Sequence, residues 1–255
     1  MTLTLETRDL TIRFGGHVAV DHVSCTFRPG ELTAIVGPNG AGKTTYFNLI
    51  SGQLPASEGQ VLLGGTDITK YSAPLRTRAG LGRAFQLTNL FPNLTVEENV
   101  RLAVQAASGV HYDMLRPWMK RADLIARADA ILDGVALGTR RGVAATALSH
   151  GDQRKLEVAL MMALEPKVFM FDEPTAGMSV DEVPVVLDLI ARLKQDPSKI
   201  ILLVEHKMDV VRSLADRIIV LHNGRLVADG PPAEVIASPI VQEAYLGIAP
   251  GKSAA

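Results

Sequence analysis

Residues 37–44 read GPNGAGKT, which fits the pattern G-x-x-x-x-G-K-[ST]. They follow a short apolar run, ELTAIV, and precede a helical one, KTTYFNLISG. That placement matters, because such a loop cradles phosphate only when it joins a strand to a helix. Gly37, Gly40 and Gly42 let backbone N–H groups turn inward, and the helix N-terminus adds its positive end. Pro38, Asn39, Ala41 and Thr45 complete the loop and the first helical residues. Lys43 suits the β- and γ-phosphates of a nucleotide, and the Thr44 hydroxyl suits Mg²⁺.

A phosphate loop of this kind needs an acidic partner at the end of a neighbouring strand. VFMFDE at 168–173 supplies four apolar residues and then Asp172 and Glu173. Asp172 is expected to hold Mg²⁺ through water, and Glu173 to polarise an attacking water as general base. A second apolar run, IILLV at 200–204, leads into Glu205-His206. Ligands bind at the C-terminal ends of strands in open α/β sheets, so His206 is a candidate donor to a γ-phosphate. Taken alone, it reads as readily as a structural or surface histidine. Gln86, in GRAFQLTNLFP, reads alone as an amide that caps a loop.

One further stretch asks for an explanation. LSHGDQ at 148–153 stands at the head of the helical run RKLEVALMMALEP. Ser149 and Asp152 have the S-x-x-D spacing of a capping box, in which each side chain satisfies a free backbone donor. Capping leaves His150 and Gly151 unexplained.

The elements that must position these residues follow from periodicity. LTLETRDLTIRF and VAVDHVSCTF alternate as strands around Gly15-Gly16, and QVLLGG reads as another strand. TVEENVRLAVQAA opens with a T-x-x-E capping box and reads as a helix, as do residues 119–136. After Ser149, the residues Leu156, Ala159, Leu160, Ala163 and Leu164 fall on one helical face. VFMF and IILLV suit strands covered on both faces, as in a parallel sheet. Between them lies the helix DEVPVVLDLIARLKQ, with Pro184 in its first turn. RIIVLHNGRLVADG is a hairpin turning at Asn223-Gly224, and PPAEVIASPIVQEAYLG holds one or two short helices.

The 255 residues suit one large domain or two small ones. The net charge of −1 marks no nucleic-acid binder. Cys25 is the only cysteine, which rules out an intrachain disulfide and favours a reducing compartment. The start, MTLTLETRDLTIRFGG, lacks the features of a signal peptide. No apolar stretch reaches the roughly 18 residues that span a bilayer. The expectation is a chain soluble by itself and cytoplasmic, able to dock on a membrane protein.

Together the motifs resemble the ATP-binding subunit of ABC transporters. GPNGAGKTT, AFQ, LSHGDQ, VFMFDEP and VEH occur in the family's order, and the likeness covers residues 3–246. No other P-loop class combines these elements in this order. The resemblance implies an α/β fold: a P-loop NTPase core with a mainly parallel sheet, an antiparallel β subdomain and a helical subdomain at about 87–165. All of it would form one ATP-binding domain over 1–250, with 251–255 as a flexible tail.

The resemblance also implies ATP and Mg²⁺ as ligands, and roles for particular residues. Phe14 would stack on adenine. Lys43 and Thr44 would bind phosphate and metal, with Asp172 supporting the metal. Gln86 would sense Mg²⁺ and link to the membrane partner. Glu173 would be the catalytic base, and His206 would hold the γ-phosphate and the attacking water. Ser149 and Gly151 would meet the γ-phosphate held by a second ATP-binding subunit, identical or a sister, packed head to tail. The other implied partners are two membrane permease subunits and, indirectly, a solute-binding protein, with no nucleic acid. The chain would then sit on the inner face of the cell membrane.

Three positions depart from the family pattern. His150 replaces the first of a usual glycine pair, Asp152 stands at a Gln/Glu position, and Ser179 stands where an Asp is common. DEPTAGMS, VEHKMDVV, the insertion HYDMLRPWMKRAD and the ending VQEAYLG resemble importers of branched-chain amino acids, whose relatives import urea or short amides. LSHG is similar to the urea branch, and AYLG also to the ATPase of lipopolysaccharide export. A soluble ABC ATPase acting on ribosomes or DNA would usually carry two cassettes or a long coiled coil, and neither is present.

Overall fold

The computed structural model describes residues 3–84, 90–108, 121–239 and 241–242. Gln86, most of the HYDMLRPWMKRAD insertion, the AYLG ending and the 251–255 tail lie outside the described residues.

The alternating N-terminal runs form β1 (Leu5–Phe14) and β2 (His17–Phe27), joined at Gly15-Gly16. With β4 (Glu58–Leu63) and β5 (Thr66–Asp67) they make an antiparallel sheet in the order β2-β1-β4-β5. A second, six-stranded sheet has the order β10-β9-β3-β8-β7-β6. Here β3 (Leu32–Val36), β6 (Leu81–Ala84), β7 (Val168–Asp172), β8 (Ile200–Val204) and β9 (Arg217–His222) run parallel, and β10 (Arg225–Gly230) returns antiparallel on β9.

The unbroken apolar runs are strands buried on both faces. On β7, Phe169 and Phe171 join a core shared with helices, while Val168 and Met170 join the core under the antiparallel sheet. On β8, Ile201 and Leu203 alternate with Ile200 and Leu202 in the same way. Each such side chain taken fully from water contributes about 1.5–3 kcal/mol, so the two strands anchor the centre of the molecule.

The phosphate-loop helix α1 (Lys43–Ser51) lies in the core under the antiparallel sheet. On the other face pack α3 (Val96–Ala107), α4 (Ala122–Gly134), α5 (His150–Leu164) and α6 (Val183–Lys194). Thr95 opens α3 with a complete capping box: its hydroxyl accepts from the Glu98 N–H at 3.2 Å, and the Glu98 carboxylate accepts from the Thr95 N–H at 2.8 Å. Pro184 falls in the first turn of α6, where its missing N–H costs nothing.

Several expectations need correction. Ser149 caps α5, accepting from the Asp152 N–H at 3.1 Å, but Asp152 turns to Lys155 Nζ at 2.8 Å. The box at Ser149 is therefore half formed, because a nearby ammonium outcompetes the backbone donor. The face expected on α5 is also too narrow. Leu156, Ala159 and Ala163 are buried, but so are Val158 and Met161, while Leu164 is exposed. The helix is packed from several sides, by α3, α4, α6 and β6. Three short α-helices are also described, α2 (Ala73–Ala79), α7 (Met208–Leu214) and α8 (Pro232–Ala237), with single 3-10 turns at Gly138–Arg140 and Ala145–Ala147. Finally, Asp172 does not end a strand adjacent to β3, because β8 runs between β3 and β7.

Candidate active site

Parallel strands end at the same edge, so β3, β7 and β8 deliver the loop 37–42, Asp172-Glu173 and Glu205-His206 to one place. A cleft of about 430 Å³ opens there, with Asn39, Gly40, Ala41, Gly42, Lys43, Thr44, Thr45, Glu173 and His206 in its walls. His17 and Ala19, from β2, close it on one side. A larger cleft, of about 700 Å³, lies elsewhere against Leu3, Glu6, Gly65, Tyr71 and Lys167, and none of the phosphate loop, Glu173 or His206 lines it.

The phosphate loop is fixed by its surroundings. A Cβ at Gly37 would overlap the carbonyl oxygen of Leu221, and one at Gly42 would lie 2.5 Å from that of Ala19. Both glycines also have positive φ, 154° and 96°. The expected Asn223-Gly224 turn forms, and Gly224 N–H donates to Ala41 O at 3.0 Å while Asp21 N–H donates to Gly224 O at 2.8 Å. Lys43 is buried, its ammonium donating to Gly37 O at 2.7 Å and Pro38 O at 3.0 Å. Burial pulls its pKa down, opposed by the charges of Glu173 and Asp172. An anion with several oxygens would compete well for this ammonium.

Glu173 follows β7 with φ +50°, a left-handed conformation that costs a non-glycine residue roughly 1–3 kcal/mol. Its N–H donates to Val204 O at 2.9 Å, fixing the turn to β8. Its carboxylate meets His206 Nε2 at 2.9 Å, so the two candidate catalytic side chains are direct partners. His206 is held in turn by Glu205, a buried carboxylate that accepts from the His206 N–H at 3.0 Å and the Thr175 hydroxyl at 2.6 Å.

Asp172 is buried, and burial pushes its carboxyl up while the Arg83 guanidinium opposes that shift. Arg83 donates to Oδ2 at 2.7 Å, whereas Oδ1 is buried without a partner among the described residues. An unpaired buried carboxylate oxygen beside a phosphate loop fits a hydrated divalent cation. Among the described residues no group of three His, Cys, Asp or Glu is arranged to hold a metal. A site built from one hydroxyl, one carboxylate and phosphate oxygens requires no such group.

Phe14 is half exposed at the end of β1, and its cross-strand partner is His17 of the cleft wall. Ser149 and Gly151 do not line the cleft. Instead they lie against Glu182, just ahead of α6. The Ser149 hydroxyl is 3.4 Å from Glu182 Oε1, and a Cβ at Gly151 would overlap the same carboxylate. Ser179 also donates to that carboxylate, from its hydroxyl at 3.0 Å and its N–H at 3.3 Å.

Sequence reasoning passed over His17, Arg83 and Glu182, and gave Glu205 no role. Only Arg83 carried a signal: a cation inside the apolar strand of GLGRAF must find partners if buried.

Known proteins agree with this architecture. Residues 20–176 match the family model "ABC transporter", and residues 225–249 match "Branched-chain amino acid ATP-binding cassette transporter". The chain is 37% identical over 248 residues to the high-affinity branched-chain amino acid transport ATP-binding protein LivG of Escherichia coli (strain K12), covering 95% of this chain and 97% of that protein. It is 35% identical over 248 residues to BraF of Pseudomonas aeruginosa, a protein of the same description, with the same two coverages, 95% and 97%. Among solved structures, the ADP conformation of MJ1267, an ATP-binding cassette of an ABC transporter, superposes with a TM-score of 0.81 at 28% identity, covering 97% of this chain and 100% of that one. With the phosphate loop, the acidic strand end and the histidine on one sheet edge, the chain belongs to the ABC transporter family, as an ATP-binding cassette ATPase of the branched-chain amino acid transport group.

Proposed function

We propose that this chain is the motor of an importer of branched-chain amino acids or related polar amides, urea included, hydrolysing ATP to drive separate permease subunits. The supporting observation is the likeness to LivG and BraF over 95% of the chain, together with the C-terminal match at 225–249. In this reading the chain is a single ATP-binding domain on the inner membrane face. It works with a second ATP-binding subunit, two permeases and, indirectly, a solute-binding protein. No described helix is long and apolar enough to cross a membrane; in this reading the permeases form the translocation path.

The site residues take these roles. Phe14 stacks on adenine from the β1–β2 hairpin. The loop 37–42 and Thr45 wrap the phosphates, and Lys43 exchanges the Gly37 and Pro38 carbonyls for phosphate oxygens. Thr44 and Asp172 would hold Mg²⁺, with Gln86 as its sensor; when bound, the ion neutralises charge on the phosphates. Glu173 accepts a proton from the attacking water as that water's oxygen bonds to the γ-phosphorus. The bond to the bridging oxygen breaks, and its electron pair leaves on ADP. His206 orients Glu173 through their contact and then donates to the γ-phosphate. Ser149 and Gly151 serve ATP bound in the opposite subunit.

The test is affinity capture of a tagged Glu173→Gln variant from solubilised membranes with ATP, followed by mass spectrometry. Two polytopic proteins and an ATP-binding subunit are expected. Ribosomal or DNA-repair proteins without a membrane partner would overturn the reading.

A further inference from the structure

Arg83 is a cation on β6, the edge strand beside β7, and its side chain is only 10% exposed. One terminal nitrogen donates to Asn48 Oδ1 at 2.6 Å and Ser51 Oγ at 2.8 Å, both on α1. The other donates to Asp172 Oδ2 at 2.7 Å. The guanidinium also lies over the Phe47 ring, 5.1 Å from its centroid. One side chain therefore ties β6, the phosphate-loop helix and the acidic strand end.

The way the pair is made is informative. Arginine commonly takes both oxygens of a carboxylate in a parallel fork. Here it takes one, spends its other terminal nitrogen on α1, and leaves Asp172 Oδ1, like its own Nε, buried with no partner among the described residues. A bond serving packing alone gains nothing from stranding that oxygen. A bond that holds the carboxylate for another ligand must do so.

We propose that Arg83 is a positioning residue for the metal site: it fixes Asp172 through Oδ2 so that Oδ1 stays available to the hydrated cation that accompanies the nucleotide. This rests on the reading of Asp172 as the metal-side carboxylate. Arg83 touches neither nucleotide nor metal. It acts through the orientation of Asp172, as groups behind metal ligands commonly do.

The test compares Arg83→Met, Arg83→Lys, Asp172→Asn and the double variant Arg83→Met/Asp172→Asn, with folding followed by circular dichroism. Two bindings are read: a fluorescent ATP analogue in EDTA, and Mn²⁺ with ADP present, followed by electron paramagnetic resonance. Arg83→Met should leave binding in EDTA little changed and weaken Mn²⁺ about 10–100-fold, the usual scale for a group supporting a metal ligand. In the Asp172→Asn background, the Arg83 change should add nothing further. Equal losses with and without metal, or unchanged Mn²⁺ affinity, would overturn the proposal. If Arg83→Met does not fold, Arg83→Lys decides: it keeps the charge but not the three-way attachment, and undiminished Mn²⁺ binding would overturn the proposal. If instead Asp172→Asn itself leaves Mn²⁺ binding unchanged, the reading of Asp172 has failed, and with it the ground on which Arg83 was assigned.

Discussion

The two places proposed to meet ATP are built in opposite ways. The phosphate loop is walled by backbone: the Leu221 and Ala19 carbonyls press on Gly37 and Gly42, and Gly224 bonds to Ala41. The α5 end is covered by a side chain, with the Glu182 carboxylate lying over Gly151 and beside Ser149. The first is shaped for an anion before one arrives. The second already has an anion of its own chain, at the positive end of a helix. Assembly of a shared site then asks little of the phosphate loop and a side-chain displacement of α5.

The largest expected effect lies on the phosphate-loop side. Glu173→Gln should lower the hydrolysis rate by about 10²–10⁴-fold, the usual share of a general base, with ATP affinity retained in equilibrium binding. Loss of binding together with rate would mean that Glu173 shapes the cleft rather than serving the water. A pair of glycine substitutions then probes the comparison itself. Gly37→Ala drives a Cβ into immobile backbone and should cost about 1–3 kcal/mol in denaturant unfolding. Gly151→Ala meets only the end of a glutamate, which can swing away, and should cost less than about 1 kcal/mol. Equal costs would show that the Glu182 seat is as rigid as the loop.

Glu182→Gln addresses the covering charge directly. Placed in a Glu173→Gln background, it should strengthen ATP-driven association by roughly two- to fivefold, because a charge at a helix terminus is worth about 0.3–1 kcal/mol. Light scattering against ATP concentration reads this, and weaker association would mean that Glu182 supports the assembled form. The smallest effect concerns the caps. Thr95→Ala should cost about 1 kcal/mol and Ser149→Ala about half of that, since only Thr95 closes a reciprocal box. Thermal unfolding orders the two.

What the sequence made legible was local. GPNGAGKT, the apolar runs ending in Asp172 and before His206, and the Asn223-Gly224 turn each carry their signal within a few residues, and each forms as expected. Pairings across the chain were not legible. Nothing near Asp172 announces Arg83, and nothing near Gly151 announces Glu182, because both contacts exist only after distant elements pack. The insertion of β8 between β3 and β7 escaped for the same reason. The short helices α2 and α7 escaped for another: seven residues give too few turns for an apolar stripe to show.

The Asn223-Gly224 turn has a practical consequence. A two-residue hairpin tip is ordinarily where an epitope, a dye or a short insertion does least harm. Here the tip is a keystone, bonded to Ala41 on one side and Asp21 on the other. A tag placed there would be transmitted to the phosphate loop, and a labelling site on this chain is better sought on the exposed face of α6, at Asp188 and Arg192.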